Sequence, residues 1–300
     1  MTGVSFVVTV YNKKPHLPRV LEGLFGQEGD FAREFIIIDD GSTDGSAEVL
    51  DRLCAGRKEV RVVHQPNAGL VGATNAGVRL ATLPWLKLVD GDDVLAPWCG
   101  RLLLDAASAL DAKVALGTIM PHYPDRPLVF TPPSTAETMP YRRDLFSECL
   151  MNVPCNVSPT LIDRAVYWAV GGADPRLTVV DLSLFLRLTR NRAVAAIDAQ
   201  VCACPQGIGG RMSDDQRHML FQTNRAIIYF LAETPDLPWR VRRKAVERAF
   251  GRAWKWQRRR MDSSFASRWF WLYALAKLGP PSVVAPFLAS TLEAFGEAKR

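Results

Sequence analysis

Three carboxylates fall within four residues at Asp90-Gly91-Asp92-Asp93. Crowded this closely, they repel one another unless cations or hydrogen bonds compensate. Oxygen donors of this kind suit Mg²⁺ or Mn²⁺, typically shared with substrate phosphates. The plainer alternative is an acidic turn capping a helix, bent at Gly91. A second acidic run, Asp39-Asp40-Gly41-Ser42-Thr43-Asp44, offers a helix cap. It also offers an acceptor for a base N–H or for ribose hydroxyls. Tyr11 is a ring for stacking on a base or for packing. Asn67-Ala68-Gly69, followed by Gly72 and Asn75, forms a flexible approach to a helix N-terminus, and such ends favour phosphate. No GxxxxGK[ST], HExxH or GxSxG pattern occurs. The four histidines share no helical spacing, which argues against a histidine metal site.

The elements that precede these clusters give them their setting. Val4 to Val10 is a β-branched apolar run, and Phe35 to Ile38, Val60 to Val63 and Trp85 to Val89 repeat the pattern. Helical spacing follows each: from Pro15 to Phe25, after Ser42 to Asp44, from Asn67-Ala68-Gly69 through Ala81, and from Pro97 to Leu110. Val114 to Leu116 reads as a further strand. Short alternation of strand and helix predicts right-handed βαβ units, hence an α/β fold with a mostly parallel sheet flanked by helices. Such sheets place ligands beyond the carboxyl ends of their strands. Tyr11, Asp39-Asp40 and Asp90 to Asp93 all follow strand ends, so three polar clusters converge on one predicted edge. Residues 121–140, rich in Pro and Thr, read as a surface loop or lid. Helices at Arg164 to Val170 and Asp181 to Leu188 flank a Gly171-Gly172 turn.

Composition places limits on these readings. The chain has 300 residues, 48% of them hydrophobic and 23% charged, which suits a globular protein. The six cysteines, Cys54, Cys99, Cys149, Cys155, Cys202 and Cys204, read as scattered buried thiols in a reducing compartment. Cys202 and Cys204 alternate on a predicted strand and share one face. No basic region with a long apolar stretch opens the chain, and no run of about 18 apolar residues occurs. The expectation is a cytoplasmic location. Net charge is +6, yet fourteen Lys/Arg oppose four Asp/Glu from Pro238 onward, leaving twenty-three basic and twenty-seven acidic residues before it. The basicity therefore belongs to the C-terminal part.

The ordered set Val4-Ser5-Phe6-Val7-Val8-Thr9-Val10-Tyr11-Asn12, Ile37 to Asp44, Asn67-Ala68-Gly69 and Asp90 to Asp93 resembles a family 2 glycosyltransferase of the GT-A fold. The resemblance covers about residues 3 to 215, leaving 216–300 as a basic helical extension. It implies an inverting reaction, a nucleotide-sugar donor such as a UDP- or dTDP-sugar, and Mn²⁺ or Mg²⁺ as cofactor. Carried over by position, Thr9, Tyr11 and Asp40 resemble residues around the donor's base, Asp90 the acid near the ribose, and Asp92 the main metal ligand. Asn67 and Gly69 join the donor-binding set, and Asp93 stays open between a supporting role and a helix cap. Beyond Gly171-Gly172-Ala173-Asp174, Asp181 matches the family's catalytic base, with a helix N-cap as its alternative role. Val180 stands where Glu is common, Thr74 where an Arg often precedes Asn75, and the segment 207–213 has Arg211 without the usual His. No QxxRW signature occurs, which points to single-sugar transfer rather than polymerisation.

Pro238 to Met261 carries an apolar stripe, Val241, Ala245, Ala249 and Ala253, flanked by Phe250 and Trp254, among many arginines. Such a helix either lies on an anionic membrane surface or packs on the rest of the chain. Trp269, Phe270, Trp271 and Tyr273 suit a headgroup boundary. No nucleic-acid motif accompanies the charge. The leading expectation is a sugar transferase acting on a sugar or lipid-linked acceptor at the inner membrane face. A nucleotide-sugar-binding protein without catalysis is the second class, and a Mg²⁺ phosphotransferase using Asp90 as nucleophile the third.

Overall fold

The computed structural model describes residues 2–123, 125–154, 156–209 and 211–296. Pro124 of the expected loop, the Cys155 thiol and Gly210 lie outside these residues. The elements run β1 (Gly3–Val10), α1 (Leu17–Phe25), β2 (Ala32–Asp39), α2 (Ser46–Cys54), β3 (Val60–His64), α3 (Gly69–Leu80), β4 (Trp85–Asp90), β5 (Val94–Leu95), α4 (Cys99–Ala109) and β6 (Val114–His122). They continue with α5 (Thr135–Thr138), β7 (Tyr141–Arg143), α6 (Leu145–Met151), β8 (Thr160–Asp163), α7 (Arg164–Ala169), α8 (Asp181–Thr189) and β9 (Val194–Pro205). Four helices follow, α9 (Gln216–Glu233), α10 (Trp239–Arg260), α11 (Arg268–Leu278) and α12 (Pro281–Val284), and a 3₁₀ segment, Ala285–Phe295. The chain divides into two compact units. The first comprises Met1–Leu145, Cys155–Leu184 and Leu188–Ile208; the second comprises Phe146–Pro154, Phe185–Arg187 and Gly209–Arg300.

The first unit holds a nine-stranded sheet ordered β3-β2-β1-β4-β8-β6-β9-β5, with β7 paired to β9. Strands β3, β2, β1 and β4 are parallel, as the alternation predicts. Their apolar residues are buried on both faces at β1 and β2, because helices cover both. The other half departs from the expectation of a mostly parallel sheet. Strand β8 enters antiparallel between β4 and β6, and β5 and β7 pair antiparallel with β9. The connection from β6 to β8 is not a single crossover helix, so the handed βαβ rule does not govern it. Strand β6 also runs past Leu116 to His122, into the Pro/Thr-rich stretch. The rest of that stretch contains α5, whose Ser134 and Glu137 form a reciprocal capping box.

In the second unit, Ala253, Trp254, Trp269, Ala294 and Phe295 form a core with Trp256, Phe270 and Tyr273 packed on it. The apolar stripe of α10 is consumed here: Ala245, Ala249, Phe250, Ala253 and Trp254 are all buried. Packing within the unit therefore takes up most of that stripe, while Val241 at its start stays half-buried. Of the four aromatics expected at a headgroup boundary, Trp269 is buried and Trp271 is exposed. Among the described residues, no helix is long and apolar enough to cross a membrane.

Helix α3 lies close on β1 and β2 because Gly77 has no side chain. A Cβ there would overlap Val7 Cγ1 and come within 3.2 Å of Ile38 Cγ1. Gly77→Ala is therefore expected to destabilise the first unit by about 1–3 kcal/mol despite alanine's better helix propensity. Urea denaturation measures this; an unchanged or raised midpoint contradicts the close approach.

Candidate active site

Parallel register aligns the strand ends. Thr9 stands opposite Asp90 on β4 and Ile38 on β2, and Val10 stands opposite Asp39. The residues just beyond, Tyr11, Asp40 and the Asp90 turn, therefore share one edge. Tyr11 is 49% exposed, so its ring is not core packing. Asp40 is buried, and its Oδ1 accepts from Gln65 Nε2 at 2.7 Å and from the Ala68 N–H at 2.8 Å. This carboxylate ties β2 to the start of α3. Asn67 Oδ1 accepts from the Gly69 N–H at 3.2 Å, fixing the turn before that helix. The β1–α1 and β2–α2 loops are joined by Asn12 Oδ1 accepting from the Thr43 N–H and Asp44 Oδ2 accepting from the Lys14 N–H. Asp39 is engaged differently: its Oδ2 lies 3.0 Å from His64 Nδ1.

The acidic turn separates its three carboxylates. The Asp93 N–H donates to the Asp90 carbonyl at 2.9 Å, closing the turn. Gly91 passes under β1, where a Cβ would come within 2.7 Å of the Thr9 carbonyl. Asp92 forms a 2.5 Å ion pair with Lys13, a residue that sequence reasoning did not single out. Asp93 is fully buried beside Ser158, Asn156 and Cys204, and its Oδ1 has no hydrogen-bond partner. Burial pushes the Asp93 carboxyl well above the usual carboxylate range, with neighbouring Cys204 adding to the effect. Asp93 is thus an interior residue of the turn. Cys202 and Cys204 are both buried beside it, as free thiols.

This geometry bears on a metal. Among the described residues, no group of three His, Cys, Asp or Glu side chains is placed to hold an ion. Mg²⁺ and similar cations need only one or two carboxylates when phosphates supply the remaining oxygens. The pairing of Asp92 with an ammonium shows that this carboxylate attracts a cation. The donor set fits a metal shared with a substrate diphosphate, and does not fit a cage made by protein alone.

Asp181 opens α8 on the same edge. It is the first helical residue, after an N-cap at Val180 whose side chain makes no capping hydrogen bond. A narrow cavity of about 30 Å³, wide enough for a water molecule, is lined by Thr9, Thr74, Asp90, Val157, Val180 and Asp181, among others. Burial raises the Asp181 carboxyl to about 8; the charge of Asp90 adds to this, and a hydrogen bond from the Val157 N–H opposes it. Thr74 turns its hydroxyl to the Leu70 carbonyl at 2.7 Å.

Two tethers within the first unit join partners that sequence spacing does not identify. Asn75 Oδ1 accepts from the Tyr167 hydroxyl at 2.8 Å and from the Ala173 N–H at 3.1 Å, and Asn75 Nδ2 donates to the Ala173 carbonyl at 2.8 Å. This clamps the Gly171-Gly172-Ala173 turn to α3. Lys87, fully buried in β4, donates to the Ser158 carbonyl. The Ser158 hydroxyl in turn accepts from the Asp90 N–H at 3.2 Å and hydrogen-bonds Asp93. A lysine flanked by apolar strand residues gives no local sign of its target, which is 71 residues away.

The raised Asp181 pKa makes stability depend on pH. The unfolded carboxyl ionises near 3.8 and the folded one near 8. Between these values the folded state retains a proton that the unfolded state has lost, so stability falls as pH rises through that window. Asp181→Asn removes the dependence. The urea midpoint of the variant relative to wild type is expected to grow from pH 4 to pH 8 and then level off; a gap constant with pH contradicts the burial of this carboxyl.

Comparisons with known proteins give the family. The chain is 34% identical over 115 residues to glycosyltransferase GlyG of Streptococcus pneumoniae serotype 4, covering 38% of each chain. It is 36% identical over 112 residues to the uncharacterized glycosyltransferase YibD of Escherichia coli, covering 37% of this chain and 32% of that one. Succinoglycan biosynthesis protein ExoO of Rhizobium meliloti is 30% identical over 116 residues, with 39% and 33% covered. The match thus spans about a third of the length of these relatives. The fold matches that of S. aureus TarS 1-349, crystallised with UDP-GlcNAc, at a TM-score of 0.66 and 15% identity, covering 98% of this chain and 89% of that one. A family description, Glycosyl transferase family 2, matches residues 5–171. More than half of the chain carries that signature, including the edge where Tyr11, Asp40 and Asp90 meet: the chain belongs to glycosyl transferase family 2.

Proposed function

We propose that the chain is an inverting glycosyltransferase that moves a sugar from a UDP-sugar to an acceptor hydroxyl in cell-surface polysaccharide or glycolipid synthesis, at the inner membrane face. The observation that carries this reading is Asp181, a carboxyl raised to about 8 on a cavity wall shared with Asp90 and Thr9. A poised carboxylate beside a nucleotide-binding edge is what a general base requires. The TarS structure bound to UDP-GlcNAc supports the donor class.

In this reading the donor's base lies against Tyr11, with Thr9 and Asp40 beside it, and Asp90 faces the ribose. Asn67 and Gly69 bring the N-terminus of α3 toward the diphosphate. Asp92 would hold Mn²⁺ or Mg²⁺, which neutralises charge on the diphosphate leaving group when bound. Asp181 takes the proton of the acceptor hydroxyl. The hydroxyl oxygen forms its bond to the anomeric carbon as the bond to the diphosphate oxygen breaks, and the electron pair leaves with UDP. One such displacement inverts the anomeric configuration.

Transfer and donor hydrolysis with and without Mn²⁺ test this reading. Asp181→Asn is expected to lower turnover by about 10²–10⁴-fold while keeping the thermal stabilisation that UDP-sugar gives. Asp92→Asn should lose the response to Mn²⁺. Wild-type kcat/KM should rise with pH toward 8, because the free enzyme's base must lose its proton. Equal turnover in wild type and Asp181→Asn overturns the role of Asp181 and favours a binding protein without catalysis.

Lys87→Met supplies a separate check. The variant replaces a buried ammonium with an apolar chain of similar length, so folding should survive. Loss of the hold on Ser158 should still lower turnover about tenfold through misplacement of Asp90 and Asp181. Unchanged turnover would show that Lys87 does not position the site.

A further inference from the structure

The second unit carries a cavity of about 430 Å³ along the seam of α10 and α11, lined by Trp254, Lys255, Arg258, Arg259 and Tyr273. Three cations and two aromatic rings line it, without a carboxylate. Lys255, Arg258 and Arg259 make no salt bridge among the described residues. The acidic Glu293 is already paired with Arg268 at 2.7 Å. Concentrated positive charge in a concave wall is a site for an anion.

The surroundings narrow the kind of anion. Trp254 at the cavity meets Phe265 and Phe270 at ring distances of 5.7 and 5.4 Å, and Phe270 meets Trp271 at 5.3 Å. Arg258 stacks over Phe265 at 5.1 Å. The aromatic run ends in two rings in solvent, Phe265 at 57% and Trp271 at 58% exposure. Leu275 and Leu278 continue from Trp271 at helical spacing on α11, exposed by 47% and 82%. A soluble anion or a nucleic acid would satisfy the cations and leave this aliphatic face in water. A bilayer supplies both a headgroup phosphate and an apolar boundary.

We propose that the α10–α11 seam binds the phosphate headgroup of an anionic phospholipid, with Phe265, Trp271, Leu275 and Leu278 entering the bilayer interface. The surface differs from the stripe of α10, most of which is buried. It belongs to the second unit alone, so this inference stands or falls independently of the roles of Asp181 and Asp92.

The test uses the full chain and vesicles of phosphatidylcholine with or without phosphatidylglycerol. Sedimentation should recover the wild type with the anionic vesicles at low salt, and at least tenfold less with phosphatidylcholine alone. The triple variant Lys255→Gln, Arg258→Gln, Arg259→Gln should weaken vesicle binding at least tenfold and lose most of its salt dependence. Trp271→Ser with Leu275→Ser should also weaken it at least tenfold. All five side chains are exposed, and an unchanged thermal transition verifies folding of both variants. Brominated lipid should quench wild-type tryptophan fluorescence and quench Trp271→Ser less. Wild-type affinity in either variant overturns the proposal. Equal competition by inorganic phosphate or by an oligonucleotide, with no effect of Trp271→Ser and Leu275→Ser, also overturns it, because the seam would then be an anion site without a lipid role.

Discussion

The Val157-Ser158 peptide is where the candidate site is held together. The Val157 N–H meets the Asp181 carboxylate, the Ser158 hydroxyl links the Asp90 backbone to the Asp93 side chain, and the Ser158 carbonyl receives the buried Lys87 ammonium. A buried ammonium is costly unless polar groups surround it. The same cost makes the arrangement specific, since Lys87 has few alternative partners in a strand packed on both sides. Two residues thus link Asp90 and Asp93, which share one turn, to Asp181, which comes from a distant part of the chain.

Electrostatics then separates carboxylates that look equivalent in sequence. Asp40 is committed to Gln65 and Ala68 through one oxygen. Asp92 is matched by Lys13. Asp93 is desolvated by burial and lies beside Cys204, which together favour its neutral form against the opposing Ser158 hydrogen bond. Asp181 lies between these extremes, desolvated and repelled by Asp90. Four acids along one edge therefore sit in different surroundings, and the Asp181 carboxyl, raised to about 8, is poised to exchange a proton near neutral pH.

The second unit shows how packing reassigns a sequence pattern. An arginine-rich helix with an apolar stripe has the same periodicity whether the stripe faces lipid or protein. In α10 the stripe meets α11 and the closing 3₁₀ segment, and the surface features shift to the seam and to α11. Periodicity reports that a face is apolar; it does not report what covers it.

Local physics was legible in the amino-acid sequence. β-Branched runs marked β1 to β4, helical spacing marked α1 to α4, and acids directly after strand ends marked the edge that carries Tyr11, Asp40 and Asp90. Each of these signals lies within a few residues, where sterics and side-chain periodicity act. What only the tertiary structure decided involves partners distant in the chain. Antiparallel β8, the pairing of Lys13 with Asp92, the clamp of Asn75 on Ala173 and the reach of Lys87 to Ser158 connect residues 71 to 98 positions apart or reverse a strand's direction. Burial of Asp93, and the raised pKa of Asp181, likewise arise from desolvation by neighbours that sequence spacing does not identify.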